Sequence, residues 1–161
     1  MTNAQTAASA DNGVLPAVVF RLIYRSHSLI PAAEVQAELG HILRVARARN
    51  AESGITGALL IYDDWFAQTL EGEETAVRAL FAKIAADPRH DTVGLREEGI
   101  APARVFSRWA MAMVAEHGNP DIPLTAISGG IAAAGARHTT PGQEQILTLM
   151  RDATRGYGRG S

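Results

Sequence analysis

Apolar positions recur along this chain with two periods, and the switches between them mark out its elements. In 17–26, AVVFRLIYRS, the residues Val18, Phe20, Leu22 and Tyr24 alternate with their neighbours, and β-branched and aromatic residues dominate, as in a strand. From 31 to 52 the spacing becomes three and four: Val35, Leu39, Ile42 or Leu43, Ala46 and then Asn50 make the inward stripe of a helix with Pro31 near its start. Residues 55–72 predict two strands around a tight Asp63-Asp64 turn. Residues 73–87 predict a second helix, inward through Val77, Leu80, Phe81 and Ile84 and stopped where Pro88 disfavours helical geometry for Asp87. Two more strands follow at 92–100 and 104–115, the last with Trp109, Met111 and Met113 alternating on one face, a pattern that core packing by itself explains.

The predicted order, β-α-β-β-α-β-β, is an α+β, ferredoxin-like arrangement with one added strand and two helices on one face of the sheet. A flexible lead-in at 1–16 precedes a domain at 17–116. An extension at 117–155 follows, with a Gly/Ala-rich connector at 128–138, and then a disordered tail at 156–161. Within the extension, Thr140 and Gln143 form a capping box with Pro141 at the first helical position, and Ile146, Leu149, Met150 and Ala153 form a stripe. That stripe is expected to cover either the open sheet face or another chain.

Charge and composition narrow the function. A net charge of −2 without a basic stripe argues against a nucleic-acid partner. The absence of cysteine excludes disulfides, thiolate metal sites and cysteine nucleophiles. The N-terminal residues lack a secretory signal, and no apolar run approaches the roughly 18 residues of a membrane span, so a cytoplasmic protein with no membrane partner is expected.

Three hydrogen-bonding groups point toward the helix–sheet interior. In WFAQTLEG (65–72), Phe66, Gln68 and Leu70 share one face and Trp65, Ala67 and Thr69 the other, so an amide sits where an aliphatic residue would pack better. Tyr24 lies on the inner face of the first strand and Asn50 on the inward stripe of the first helix. Each could satisfy its neighbours, but a buried unsatisfied amide costs about 1–3 kcal/mol, and a planar polar ligand between the helices would explain all three together. The run ADPRHD (86–91) adds a carboxylate, a guanidinium and an imidazole, either as a helix end or as the rim of a pocket.

Four blocks in order, LIYRSH, RNAESGITGALLIYDDWFAQTLEG, IAADPRHDTV and FSRWAMAM, resemble the successive motifs of the BLUF family, blue-light sensors that use FAD. The resemblance runs from about residue 18 to 115. It implies a flavin ring between the two helices, with Asn50 on the C4=O/N3–H edge and Gln68 between the Tyr24 hydroxyl and the N5/C4=O region. Asp87, Arg89 and His90 would contact the ring and ribityl side, and Trp109 and Met111 would be the switch-associated pair on the last strand. Light would drive electron and proton transfer from Tyr24, and a rearranged Gln68 would leave a slightly red-shifted, reversible state. A primary amide suits this role because it can exchange donor for acceptor by rotating or tautomerising.

Arg49 stands where the family often has Asn or His, which leaves the C2=O contacts open. No Gly-rich phosphate cradle is present, so the resemblance implies FAD held by ring and ribityl, with FMN or riboflavin as substitutes. With no effector domain in the sequence, the chain resembles the stand-alone members. They would signal, without enzymatic activity of their own, to a downstream protein or a homo-oligomer through the C-terminal helix. Two other readings are a light-insensitive interaction module and an acylphosphatase-like hydrolase using Arg25, Arg49 and Asn50, although no anion nest accompanies those residues.

Overall fold

The computed structural model describes residues 19–115, 120–123, 125–127, 130–132 and 139–157. The lead-in at 1–16, Val18, most of the Gly/Ala connector and residues 158–161 lie outside them, as do the expectations placed there.

Strand β1 (Val19–Ser28) leads through Pro31 and a 3₁₀ turn (Ala32–Glu34) into α1 (Val35–Ser53). The inward stripe of α1 is Leu39, Leu43, Ala46 and Asn50, which settles the choice between Ile42 and Leu43. Gly54 ends the helix at φ 70°, in the left-handed region that favours glycine, and both it and Ile55 donate to the Asn50 carbonyl. The hairpin β2 (Thr56–Tyr62) and β3 (Trp65–Gly72) turns at Asp63, whose φ of 54° an aspartate tolerates. Helix α2 (Glu74–Ala85) buries Val77 and Leu80 and rests Phe81 and Ile84 half-buried against the same core. Strand β4 (His90–Ala101) is longer than its apolar pattern suggested because it pairs along β1 to its end.

The sheet order is β4-β1-β3-β2, extended by β5 (Ala112–Ala115) parallel to β2 and by a two-residue β6 (Ile122–Pro123). A separate two-stranded ribbon, β7 (Thr125–Ile127) and β8 (Gly130–Ala132), lies within the extension, its second strand in the stretch read as connector. Helix α3 (Pro141–Tyr157) covers the sheet face opposite α1 and α2, so its stripe is spent within the chain. The capping box forms: the Thr140 amide donates to Gln143 Oε1 at 3.0 Å and the Gln143 amide to Thr140 Oγ1 at 3.1 Å. Leu147 is buried and Leu149 exposed, so the stripe is Ile146, Leu147, Met150 and Ala153. Among the described residues no helix is long and apolar enough to cross a membrane.

The largest departure is at 104–115, where only the last four residues are strand. The amides of Val105 and Phe106 are taken by the Glu71 carboxylate, and that of Trp109 by the Phe106 carbonyl. Those bonds replace a ladder, and the side-chain alternation fails with it.

Candidate functional site

Two layers meet the inner sheet face, and between α1 and α2 they leave a cleft. The cleft is open to solvent at its mouth and lined by apolar and polar side chains together. Leu59 and Phe66 from β2 and β3 line it together with Leu80 and Ile84 of α2. Tyr24, Arg49, Asn50, Gln68, Asp87, Arg89 and His90 all reach it. Seven of the residues singled out in the sequence therefore share one cavity.

Strand pairing positions the first two of them. Tyr24 and Gln68 are direct partners across β1 and β3, and the Tyr24 hydroxyl donates to Gln68 Oε1 in a short hydrogen bond. That bond fixes the amide orientation, so Gln68 Nε2 points the other way and donates to Met111 Sδ at 3.4 Å. A thioether is a weak acceptor, so the amide N–H is held in place without being strongly engaged. Burial pushes the Tyr24 pKa well above the usual tyrosine value, and the negative charge of Asp87 pushes it the same way. The phenol therefore keeps its proton. Phe81 and His90 flank its ring, with centroids at 5.3 and 6.3 Å.

Asn50 is 1% exposed and donates from Nδ2 to the Ala110 carbonyl at 2.9 Å. Its Oδ1 is buried and has no hydrogen-bond partner among the described residues. Such a group is rare in a finished core, and Asn50 lines the cleft, so a donor bound beside it would satisfy it. The imide N–H of a flavin ring is a donor of that kind, so the residues present fit the group.

Beyond α2, Arg89 grips Asp87 in a two-pronged ion pair, with Nη2 2.6 Å from Oδ2 and Nε 3.0 Å from Oδ1. That bond outweighs the desolvation of Asp87 and holds its pKa below the usual carboxylate value. Arg89 Nη1 also lies 3.6 Å from Glu38, which ties the end of α2 to α1 across the cleft. His90 is locked from both nitrogens, Nδ1 2.7 Å from Ser26 Oγ and Nε2 2.7 Å from the Ile84 carbonyl. It stiffens the cleft wall.

Trp109 is the site candidate that the structure sets apart. Met111 belongs to the core under α1 and α2, whereas Trp109 packs against the core under α3, beside Phe106 at 6.5 Å and beneath the Arg108 guanidinium at 5.3 Å. The pair expected on one strand face is thus divided between the two sides of the sheet. The hydrolase set also fails to converge: Arg25 reaches the Ala153 carbonyl of α3, while Arg49 and Asn50 face the cleft.

Sequence reasoning missed the contributions of His41, Val45 and Lys83 and left Ile42 unplaced; all four line the cleft. A signal was present. Ile42, Val45 and Arg49 recur at three and four beside the core stripe, and Val45 stays 45% exposed, an apolar residue the core does not use.

An α+β domain with a half-open cleft, an orphaned amide oxygen and a hydrogen-bonded Tyr–Gln–Met chain is built to hold a flat, polar ligand between two helices. Residues 19–112 match the family model described as "Sensors of blue-light using FAD", and the chain belongs to this BLUF family of flavin-binding domains. It is 37% identical over 106 residues to the photoactivated adenylate cyclase subunit beta of Euglena gracilis, covering 65% of this chain and 12% of that protein. This chain thus spans a small part of that relative. Among solved structures, BlrB, a BLUF protein in its dark state, superposes with a TM-score of 0.61 at 27% identity over 88% of this chain and 98% of that one. The photo-activated state of BlsA gives 0.59 at 35% identity, over 63% of this chain and 72% of that one.

Proposed function

We propose that this chain is a cytoplasmic blue-light photoreceptor that binds a flavin non-covalently between α1 and α2 and signals through the segment leading from Met111 to α3. The observation that carries it is the unpartnered Oδ1 of Asn50, a residue that lines the cleft beside the hydrogen-bonded Tyr24 and Gln68, with Met111 behind them. When bound, the flavin supplies blue absorption and an electron-accepting excited state. Asn50 Oδ1 would accept from the ring and help to hold it in the cleft. Asp87 and Arg89, with His90 as the wall behind them, would face the ribityl side, and Arg49 would flank the ring at the mouth.

Tyr24 keeps its proton on Oη and is the residue placed to release it. Gln68 Oε1 is the acceptor in the dark arrangement, and either rotation or tautomerisation of the amide exchanges the groups it shows to Tyr24, Met111 and the ring edge. Met111 loses or changes its N–H donor in that exchange. The segment Arg104–Met111 then carries the change toward Trp109 and α3, and from there to a downstream signalling protein or a second copy of the chain. FAD is the proposed cofactor, with FMN or riboflavin as substitutes, because the groups facing the cleft favour the ring and ribityl. Among the described residues lining the cleft, the cations are the scattered Arg49 and Lys83, with Arg89 already paired to Asp87.

An absorption spectrum of the purified protein, taken in darkness and just after blue illumination, tests this. Flavin bands that shift slightly red and recover in the dark are expected. Bound flavin whose spectrum ignores light would overturn the reading.

A further inference from the structure

Glu71 is fully buried on the α3 side of the sheet, an unfavourable place for a carboxylate unless its oxygens are saturated. They are. Oε2 accepts from the Val105 amide at 2.7 Å and Arg21 Nη2 at 3.2 Å, and Oε1 from the Phe106 amide at 3.0 Å and Thr56 Oγ1 at 2.9 Å. Arg21 and Thr56 are the cross-strand partners of Glu71 on either side. The two amides come instead from the irregular stretch that precedes Met111, where no strand would satisfy them.

The same stretch is gripped from α3. Gln143 Nε2 donates to the Val105 carbonyl at 2.8 Å, while the rest of the Gln143 amide and backbone closes the capping box with Thr140. Contact there is close: a Cβ added at Gly142 would lie 3.3 Å from Val105 Cγ1. At its other end the stretch is held by α1, with Asn50 on the Ala110 carbonyl and Arg47 on the Met111 carbonyl at 2.9 Å each. Gln68 and Glu71, three residues apart on β3, thus hold opposite ends of one segment from opposite faces of the sheet.

We propose that Glu71 is a positioning residue for signal output, clamping Val105 and Phe106 so that movement at Met111 is delivered through the Val105 carbonyl to the first turn of α3. The proposal rests on the photoreceptor reading for its light dependence, but the coupling itself exists in the dark. Glu71 touches no residue of α3 in the contacts described, so an effect of Glu71 on α3 passes through the stretch it clamps, by the Val105 carbonyl on Gln143 and by Phe106 in the core under α3.

Amide hydrogen exchange on the flavin-loaded protein tests it in two variants. Glu71→Gln replaces an acceptor oxygen by a donor that faces other donors. It should speed dark exchange of residues 142–147 about fivefold, roughly the value of one hydrogen bond. Gln143→Glu keeps an acceptor for Thr140, and so the capping box, but loses the donor to Val105; it should do the same without loss of helix by circular dichroism. Under illumination both variants should keep the red-shifted state yet lose the light-dependent exchange change expected of the parent across 142–147. Exchange in α3 unchanged from the parent in both variants, or a light-induced change that persists in both alongside the red shift, would overturn the coupling. A parent that binds flavin without any red shift would overturn the photoreceptor reading instead, leaving the dark comparison to decide the clamp by itself.

Discussion

The two faces of the sheet are built to different standards. Under α3, Phe106, Leu147, Ile122 and Met150 are fully enclosed, and Thr69 turns its hydroxyl to Met150 Sδ at 3.2 Å. Under α1 and α2 the same strands present Tyr24 and Gln68, α1 contributes an amide oxygen with no partner among the described residues, and Val45 faces a cleft. One face is a completed core. The other is a core of its own that keeps a cleft open between its two helices, beside the place where the chemistry happens.

That contrast can be broken first at its most demanding point. Gln68→Leu should retain flavin and abolish the red-shifted state completely, and Tyr24→Phe should do the same. A normal photocycle in either variant, by difference absorption, would remove that residue from the proposed chemistry. Next in size, Leu147→Ala on the completed face should cost about 2–5 kcal/mol in urea unfolding. Val45→Ala on the cleft face should change the flavin-free protein by less than about 0.5 kcal/mol and weaken flavin retention instead. Equal losses from the two would mean the faces are packed alike.

Smaller effects follow from pH. The folded pKa of Asp87 lies below its usual 3.8, so the stability it contributes is present above pH 3.8 and is lost as pH falls through the lower folded value. The folded pKa of Tyr24 lies above its usual 10.0, so its contribution is complete below pH 10 and is lost as pH rises beyond it. Urea midpoints should therefore fall at both extremes. Asp87→Asn should flatten the acid limb and Tyr24→Phe the alkaline one. The smallest effect belongs to Leu149→Ala, expected within about 0.5 kcal/mol because that side chain is exposed. A loss as large as that of Leu147→Ala would show that a partner covers the outer face of α3.

Most of the cleft was legible before any coordinates. Alternation along β3 assigns Gln68 to the inner face, three-and-four spacing brings Asn50 to the same interior, and Thr140 with Gln143 announces the start of α3. The flanking residues Ile42 and Val45 were written in the helix as well, beside a stripe that already sufficed. The choice between Leu147 and Leu149 was less legible, since both fit a helical stripe and only the direction from which the sheet approaches selects one.

What the sequence by itself determined is the direction of side chains wherever the backbone is regular, because a strand or helix converts position into orientation by a fixed period. Tertiary structure alone decided the course of 104–111. There the backbone amides are claimed by Glu71, 34 and 35 residues earlier in the chain, so the period is interrupted by a partner that no local pattern contains. For that reason Trp109 and Met111, two residues apart, lie on opposite sides of the sheet.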